Sequence, residues 1–283
     1  KTSFQFATWI MVRVVALCFF FVFISSIGQI LGLIGSDGIM PVLETQAGLA
    51  KEFGRTAFWL KPSLLWFCPD NYSLLYLCGA GLVLSILALA GIASGPAFLL
   101  MWIFYLSIVS MGGPFFNYQW DNLLLESGLL CVFILPWRLL EPPLVRTGYR
   151  YRTSILLLFY ILLFRLMLES GLIKLLHGSA NWADLTAMNT FYETQLLPTV
   201  FAYWLHWMPK WMQMVSVAFT LIIELVVPFF IFAGTQYRSL RIFAFVVFAL
   251  LQVAIFISGN HGFFNVITLG ITFVILDDAV LGR

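Results

Sequence analysis

Charged residues are scarce in this sequence. Lysine and arginine number 15 and aspartate and glutamate 13, so charged residues fill 10% of the 283 positions, against about 25% in soluble domains. Hydrophobic residues make up 61% and the mean hydropathy is +0.97, more apolar surface than a soluble domain of this size can bury. A formal charge of +2 is not the basic excess of a nucleic-acid-binding protein. The composition predicts a polytopic membrane protein that contacts lipid and has no nucleic-acid partner.

Sequence motifs of common cofactor and catalytic sites are also missing. There is no GxGxxG, P-loop, GxSxG or HExxH pattern. The four cysteines are far apart and form no CxxC pair, which argues against a disulfide framework or a zinc site. Only three histidines are present, too few to favour a multi-histidine metal or haem site. We therefore expect no metal, and the residues require no cofactor.

Long apolar runs, by contrast, are abundant. A spanning helix needs about 20 apolar residues, and these continuous runs differ from the alternating pattern of a transmembrane β-barrel. The predicted fold class is all-α, a transmembrane bundle of about eight spans, with residues 1–283 forming one domain of a longer chain. The predicted spans are 14–34, 74–92, 97–111, 123–137, 154–176, 211–233, 242–258 and 262–276.

Two long connections, 35–72 and 177–210, contain amphipathic stretches. In the second, an apolar stripe recurs at helical spacing. Trp and Tyr in this stripe favour a helix lying in the headgroup region, and a lid packed on the bundle is the equal alternative. The stripe consists of Leu197, Val200, Phe201, Trp204, Leu205 and Met208.

The basic residues are distributed unevenly between the two sides of the predicted spans. Cytoplasmic loops are enriched in Lys and Arg, so the richer side and the N-terminus are expected in the cytoplasm. The richer side holds Lys1, Arg138, Arg146, Arg150, Arg152, Arg238, Arg241 and Arg283, and the other holds Lys51, Arg55, Lys61 and Lys210.

Five charged residues fall inside predicted spans, where they should face the bundle interior. Arg165 and Glu169 are four apart on one helix face and are predicted to form a structural intramembrane pair. Lys174 is a candidate catalytic base, or its amine extends to the interface. Glu224 meets Arg165 across helices or stays protonated. The fifth, Glu126, follows a polar stretch.

Three polar, aromatic-rich stretches, 116–122, 181–198 and 258–265, connect spans on the non-cytoplasmic side. Together with Lys174 they define a candidate functional face, although turn formation and interfacial anchoring would explain the same residue types. The candidate binding residues are Gln119, Asp121, Glu126, Trp182, Thr186, Tyr192, Glu193, Gln195, Asn260, His261 and Asn265.

Several of these stretches resemble the lipase maturation factor family. The matching pieces are FNYQWDNLLLESG at 116–128, SGLIKL at 170–175, WADLTAM at 182–188, YETQLLP at 192–198, NHGFFN at 260–265 and LDD at 276–278. The resemblance implies a polytopic membrane protein followed by a soluble domain. It also implies residence in the endoplasmic reticulum membrane in eukaryotes, or in the inner membrane in bacteria, and help in the maturation of exported clients such as lipases.

A fainter similarity reaches the membrane domain of the vitamin K-dependent γ-carboxylase. Gly171 and Lys174, followed by Trp182 and Asp184, look like a segment of that enzyme. This similarity implies an alternative function, an enzyme that uses Lys174 as a base with a quinol-type cofactor.

Overall fold

The structure, a computed structural model, describes residues 3–140, 153–178, 180–195 and 198–281. This part of the chain is helical apart from turns and one isolated bridge between Ile92 and Leu140, which confirms the all-α class. The chain folds as two compact units: a first unit, Val12–Tyr151, and a second unit, Lys1–Met11 with Arg152–Arg283.

The described α-helices are named in chain order. They are α1 (Gln5–Ile34), α2 (Val42–Phe53), α3 (Ala57–Leu60), α4 (Asn71–Ala90), α5 (Ser94–Met111), α6 (Gln119–Ile134), α7 (Thr153–Leu176), α8 (Ala180–Ala183), α9 (Ala187–Thr194), α10 (Val200–His206), α11 (Lys210–Leu225), α12 (Arg238–Ser258) and α13 (Phe264–Thr272).

Among the described residues, six helices are long and apolar enough to cross a membrane. They are α1, α4, α5, α7, α12, and α11 together with the 3₁₀ turn Val227–Phe232. Two predicted spans are shorter, since α6 has 16 residues and α13 has 9 before the 3₁₀ turn Phe273–Ile275. Each of the eight predicted runs therefore contains a helix, in agreement with a bundle of about eight spans.

Local chemistry sets several helix boundaries. The Asp70 carboxylate accepts a hydrogen bond from Ser73 N at 2.9 Å and caps the start of α4. This bond lowers the pKa of Asp70. Gly91, in the left-handed conformation at φ 78°, ends the same helix. Pro228, which lacks an N–H, lies in the 3₁₀ turn just beyond α11.

The core of the first unit is aromatic. The rings of Phe19 and Phe23 meet Tyr105 edge to face at 6.0 and 6.1 Å between centroids. The Tyr105 hydroxyl donates to the carboxylate of Asp121, and both side chains are buried.

The first helix is longer than predicted. α1 begins nine residues before the predicted span, so Arg13 lies inside the helix. The predicted span 14–34 therefore left out the first nine residues of this helix.

In the second unit, two aspartates tie together segments that are distant in sequence. The Asp278 carboxylate accepts hydrogen bonds from the first backbone N–H groups of α1, at Gln5 (2.8 Å) and Phe6 (2.9 Å). An anion at a helix N-terminus is favourable because those N–H groups have no partner within the helix. Asp277 accepts from Arg238 at 2.6 Å and from Arg241 at 3.0 Å.

We call these two aspartates and their four partners the aspartate clasp. Arg238 and Arg241 were expected in a loop before the seventh predicted span. Both lie instead in the first turn of α12, and Arg241 is buried. The clasp joins the start of α1 to the start of α12.

Candidate functional site

The second and third polar stretches meet in the second unit. Gln195 donates through Nε2 to the carbonyl of Ser258 at 2.9 Å. Thr199 donates through Oγ1 to the carbonyl of Ile257 at 2.5 Å. Both carbonyls belong to the last turn of α12, where backbone oxygens have no partner within the helix. Gln195 and Thr199 are therefore both attached to the end of α12.

Gly259 makes this junction possible. A Cβ added to Gly259 would lie 2.9 Å from His261 Nε2 and 3.3 Å from Gln195 Oε1, so only glycine allows both side chains so near. Burial lowers the pKa of His261, which makes its imidazole neutral at neutral pH. Asn260 is exposed, whereas Asn265 is buried in the first turn of α13 and its side-chain amide has no hydrogen-bond partner among the described residues.

Lys174 and Glu224 form an ion pair. Lys174 Nζ lies 2.6 Å from each carboxylate oxygen of Glu224 and donates to the carbonyl of Ser170 at 3.2 Å. The Glu224 side chain is 5% exposed and that of Lys174 is 23% exposed. The lysine nitrogen also lies 5.3 Å from the centroid of the Trp182 ring, a cation–π distance.

Gly171 allows α7 to approach α11 closely enough for this pair. A Cβ on Gly171 would lie 2.8 Å from Leu225 and 3.0 Å from the Cβ of Glu224. The expected contact of Glu224 with Arg165 is not observed, because the partner of Glu224 is Lys174. Arg165 instead lies 3.8 Å from Glu169, and both of those side chains are about half exposed.

The contacts of Lys174 limit its possible role as a catalytic base. Both carboxylate oxygens of Glu224 lie within 2.6 Å of the Lys174 nitrogen, so this nitrogen would reach a substrate only after the pair opened. Glu224 lies 14 residues after Lys210, the first residue of α11, which places the pair about 21 Å along the helix axis. The arrangement makes the pair a link between two spanning helices.

The stretch after α7 does not run across the membrane surface as a simple loop. Ala187 packs with Val217 and Leu221 of α11, and Trp182 and Met188 cover this cluster. α8 and α9 therefore lie along α11. For this part of the connection 177–210, the packing agrees with the alternative of a lid packed on the bundle.

Other predicted site residues lie on the same packed stretch. Glu193 Oε1 lies 3.5 Å from His206 Nε2 and so links α9 to α10. Burial raises the pKa of Tyr192, which keeps its phenol neutral. Thr186 precedes α9 without capping it through its side chain.

Three candidate residues belong to the first unit. Asp121 accepts a hydrogen bond from the backbone N–H of Tyr118 at 3.0 Å as well as from Tyr105, so it organises the start of α6. Gln119 and Glu126 are exposed on the same helix. These contacts give Asp121 a structural role, the ordering of the start of α6, which the sequence pattern alone did not indicate.

Large aromatic side chains are exposed on α10 and just after it. The exposed fractions are 59% for Phe201, 67% for Trp204, 69% for Trp207 and 65% for Trp211, and Tyr203 is also exposed. We call these five residues the aromatic surface. The predicted stripe included Phe201 and Trp204 but missed the others, and α10 is shorter than the stripe. Leu197 lies outside the described residues.

Comparison with known proteins supplies the family. The sequence model of one protein family, described as the lipase maturation factor transmembrane domain, matches residues 6–283 of this chain. The chain belongs to the lipase maturation factor family. It is 40% identical over 278 residues to lipase maturation factor 2 of Homo sapiens, covering 93% of this chain and 39% of that protein. Against lipase maturation factor 1 of Bos taurus it is 33% identical over 290 residues, covering 96% and 49%. No solved structure gives a significant match.

The family match covers both units, so all the candidate residues fall inside it. The chain spans less than half the length of these lipase maturation factors. Among the described residues, no three His, Cys, Asp or Glu side chains lie close enough to hold a metal ion.

Proposed function

We propose that this chain assists the maturation of exported lipases by binding them, while still incompletely folded, at the aromatic surface. The observation that supports the proposal is that the aromatic surface is held in place at the end of α12 while its rings are exposed. Hydrogen bonds of Gln195 and Thr199 to the end of α12 fix its base, and its rings remain exposed. A contiguous exposed apolar patch is typical of a protein-binding or membrane-binding site. The name of the related proteins, lipase maturation factor, supports a lipase as the client.

The proposal places the aromatic surface on the lumenal face of the endoplasmic reticulum in a eukaryotic cell, or on the periplasmic face of a bacterial inner membrane. α12 runs from Arg238, at the aspartate clasp, to Ser258, beside the aromatic surface. Arg146, Arg150 and Arg152 directly precede α7, whose Phe164 packs on Phe229 and Phe232 beyond the far end of α11. The positive-inside rule then favours the clasp end, and with it the N-terminus, in the cytoplasm.

The client-binding role predicts a loss of lipase secretion. Trp204→Ser with Trp207→Ser, in the chain with its native flanking sequence, should lower secreted lipase activity about tenfold in cells without their own factor, since buried tryptophans dominate interface energies. Trp59→Ser is the matched control because Trp59 is 82% exposed and lies in the first unit. Equal secretion by the two variants, at equal membrane abundance, would contradict the role.

The orientation predicts which side of the membrane is accessible to a thiol reagent. Asn260→Cys, at an exposed position beside the junction, should react with a membrane-impermeant maleimide added to the lumenal or periplasmic side. Cys68 must first be replaced by serine, because it is exposed whereas Cys18, Cys78 and Cys131 are buried. Labelling only from the cytoplasmic side would contradict the proposed orientation.

A further inference from the structure

A long groove lies between α11 and α12 in the second unit. Its volume is about 450 Å³. Met208 lies just before α11, Met212, Ser216 and Thr220 line the groove from α11, and Leu250 and Ala254 line it from α12. Both helices are among those long and apolar enough to span the membrane, so the groove opens toward acyl chains and not toward water.

The groove offers few polar groups to a ligand. Ser216 donates its hydroxyl to the carbonyl of Gln213 at 2.7 Å, and Thr220 donates to the carbonyl of Ser216 at 2.9 Å. The two hydroxyls in the lining are thus satisfied by their own helix. The remaining lining side chains are apolar and include two flexible methionines, which adapt to irregular ligands. This chemistry selects a hydrocarbon chain.

The length of the groove matches one leaflet. From Trp211 to Ile223 it extends about 18 Å along α11 at 1.5 Å per residue, and half of a 30 Å hydrocarbon core is about 15 Å. A partner helix would fill such a groove only with a row of its side chains, whereas an acyl chain can lie within it along its whole length.

The end of the groove near Met208 carries a positive charge and aromatic rings. Lys210 is exposed at the start of α11, between Trp207 and Trp211. Tryptophan rings lie typically at the headgroup level of a bilayer, and a lysine there attracts an anionic headgroup. The hydrocarbon lining and this cation together point to a single type of ligand.

We propose that the groove binds one acyl chain of an anionic phospholipid from the surrounding leaflet, with its headgroup at Lys210. Trp211 belongs both to this groove and to the aromatic surface, whereas Trp204 and Trp207, the residues changed in the secretion test, do not line the groove. The two tests therefore distinguish lipid binding from client binding. It is more specific than general lipid contact, since a concave apolar surface contacts a chain on several sides.

Photo-crosslinking tests the proposal. The purified chain in nanodiscs of phosphatidylcholine and phosphatidylglycerol would receive phosphatidylglycerol with a diazirine in its acyl chain, and labelled peptides would be mapped by mass spectrometry. Ala254→Phe places a ring in the groove at an exposed position. It should reduce labelling of residues 212–220 about tenfold, equivalent to losing the contacts of about two methylene groups. Val246→Phe, at another exposed position of α12 that does not line the groove, is the matched control and should label normally.

The headgroup is tested separately. Lys210→Glu should reduce the preference for phosphatidylglycerol over phosphatidylcholine about fivefold, since one basic residue near an anionic surface contributes about that factor. Equal labelling of the Ala254→Phe and Val246→Phe variants, or labels spread over all exposed faces, would overturn the proposal. Displacement of the label by excess palmitate would indicate a free fatty acid instead of a phospholipid, and loss of the label with protein–protein crosslinks would indicate a partner helix. Either result would also overturn it.

Discussion

Asp277→Ala is expected to lower the midpoint of thermal unfolding by about 10 °C. Asp277 is 1% exposed and accepts hydrogen bonds from Arg238 and Arg241. Removing one partner of a buried ion pair typically costs about 3–5 kcal/mol because the remaining charge stays buried, and 1 kcal/mol shifts the midpoint by about 2–4 °C in a chain of 150–250 residues. The measurement is a thermal melt of the purified chain in detergent micelles.

Two variants make the clasp experiment specific. Asp184→Ala removes an exposed carboxylate from the same unit and should change stability by no more than about 0.5 kcal/mol. Replacing Asp277, Arg238 and Arg241 together by leucine and methionines should recover much of the loss, because buried ion pairs are replaceable by apolar residues of similar volume. If Asp277→Ala melts like Asp184→Ala, the clasp is not a stabilising element.

The second large effect concerns the pair between α7 and α11. Lys174→Ala leaves the Glu224 carboxylate buried without its cation and should destabilise the chain by about 3 kcal/mol. The double variant Lys174→Met with Glu224→Met removes both charges, keeps side-chain volume and should restore most of the stability. Lys51→Ala, at an exposed lysine of α2, is the control and should be close to neutral.

The same double variant separates a structural pair from a chemical one. We expect it to support lipase secretion at a level close to that of the unchanged chain, because the geometry presents the pair as a link between helices. A folded double variant that fails to support secretion would contradict this expectation. It would then favour the alternative in which Lys174 acts as a base after the pair opens.

Hydropathy was a reliable guide to the spans because it is a local property. Each predicted run contains a helix, and α7 begins within one residue of the predicted start. Helix ends were less predictable, since capping and tertiary contacts extend helices into polar sequence. α1 starts at Gln5, where Asp278 from the far end of the chain accepts its first N–H groups. No pattern around residue 5 signals that partner.

The candidate site was predicted in composition but not in its contacts. The pattern predicted that the three stretches 116–122, 181–198 and 258–265 share one face, and the structure joins two of them where Gln195 donates to the carbonyl of Ser258. The pattern could not show that α9 packs on α11. In a helix of eight residues, an apolar side that is buried has the same sequence pattern as an apolar side that is exposed. The exposure of Trp207 and Trp211 was likewise decided by packing.

The sequence by itself determined the membrane class, the positions of the spans and the family, because these depend on residue type along the chain and on short motifs. Only the tertiary structure decided the partners of the charges. Lys174 and Glu224 are 50 residues apart, and Asp277 lies 36 residues beyond Arg241. A charge in an apolar medium must find an opposite charge or a hydrogen bond, but the sequence does not say which one. The folding of the helices against one another makes that choice.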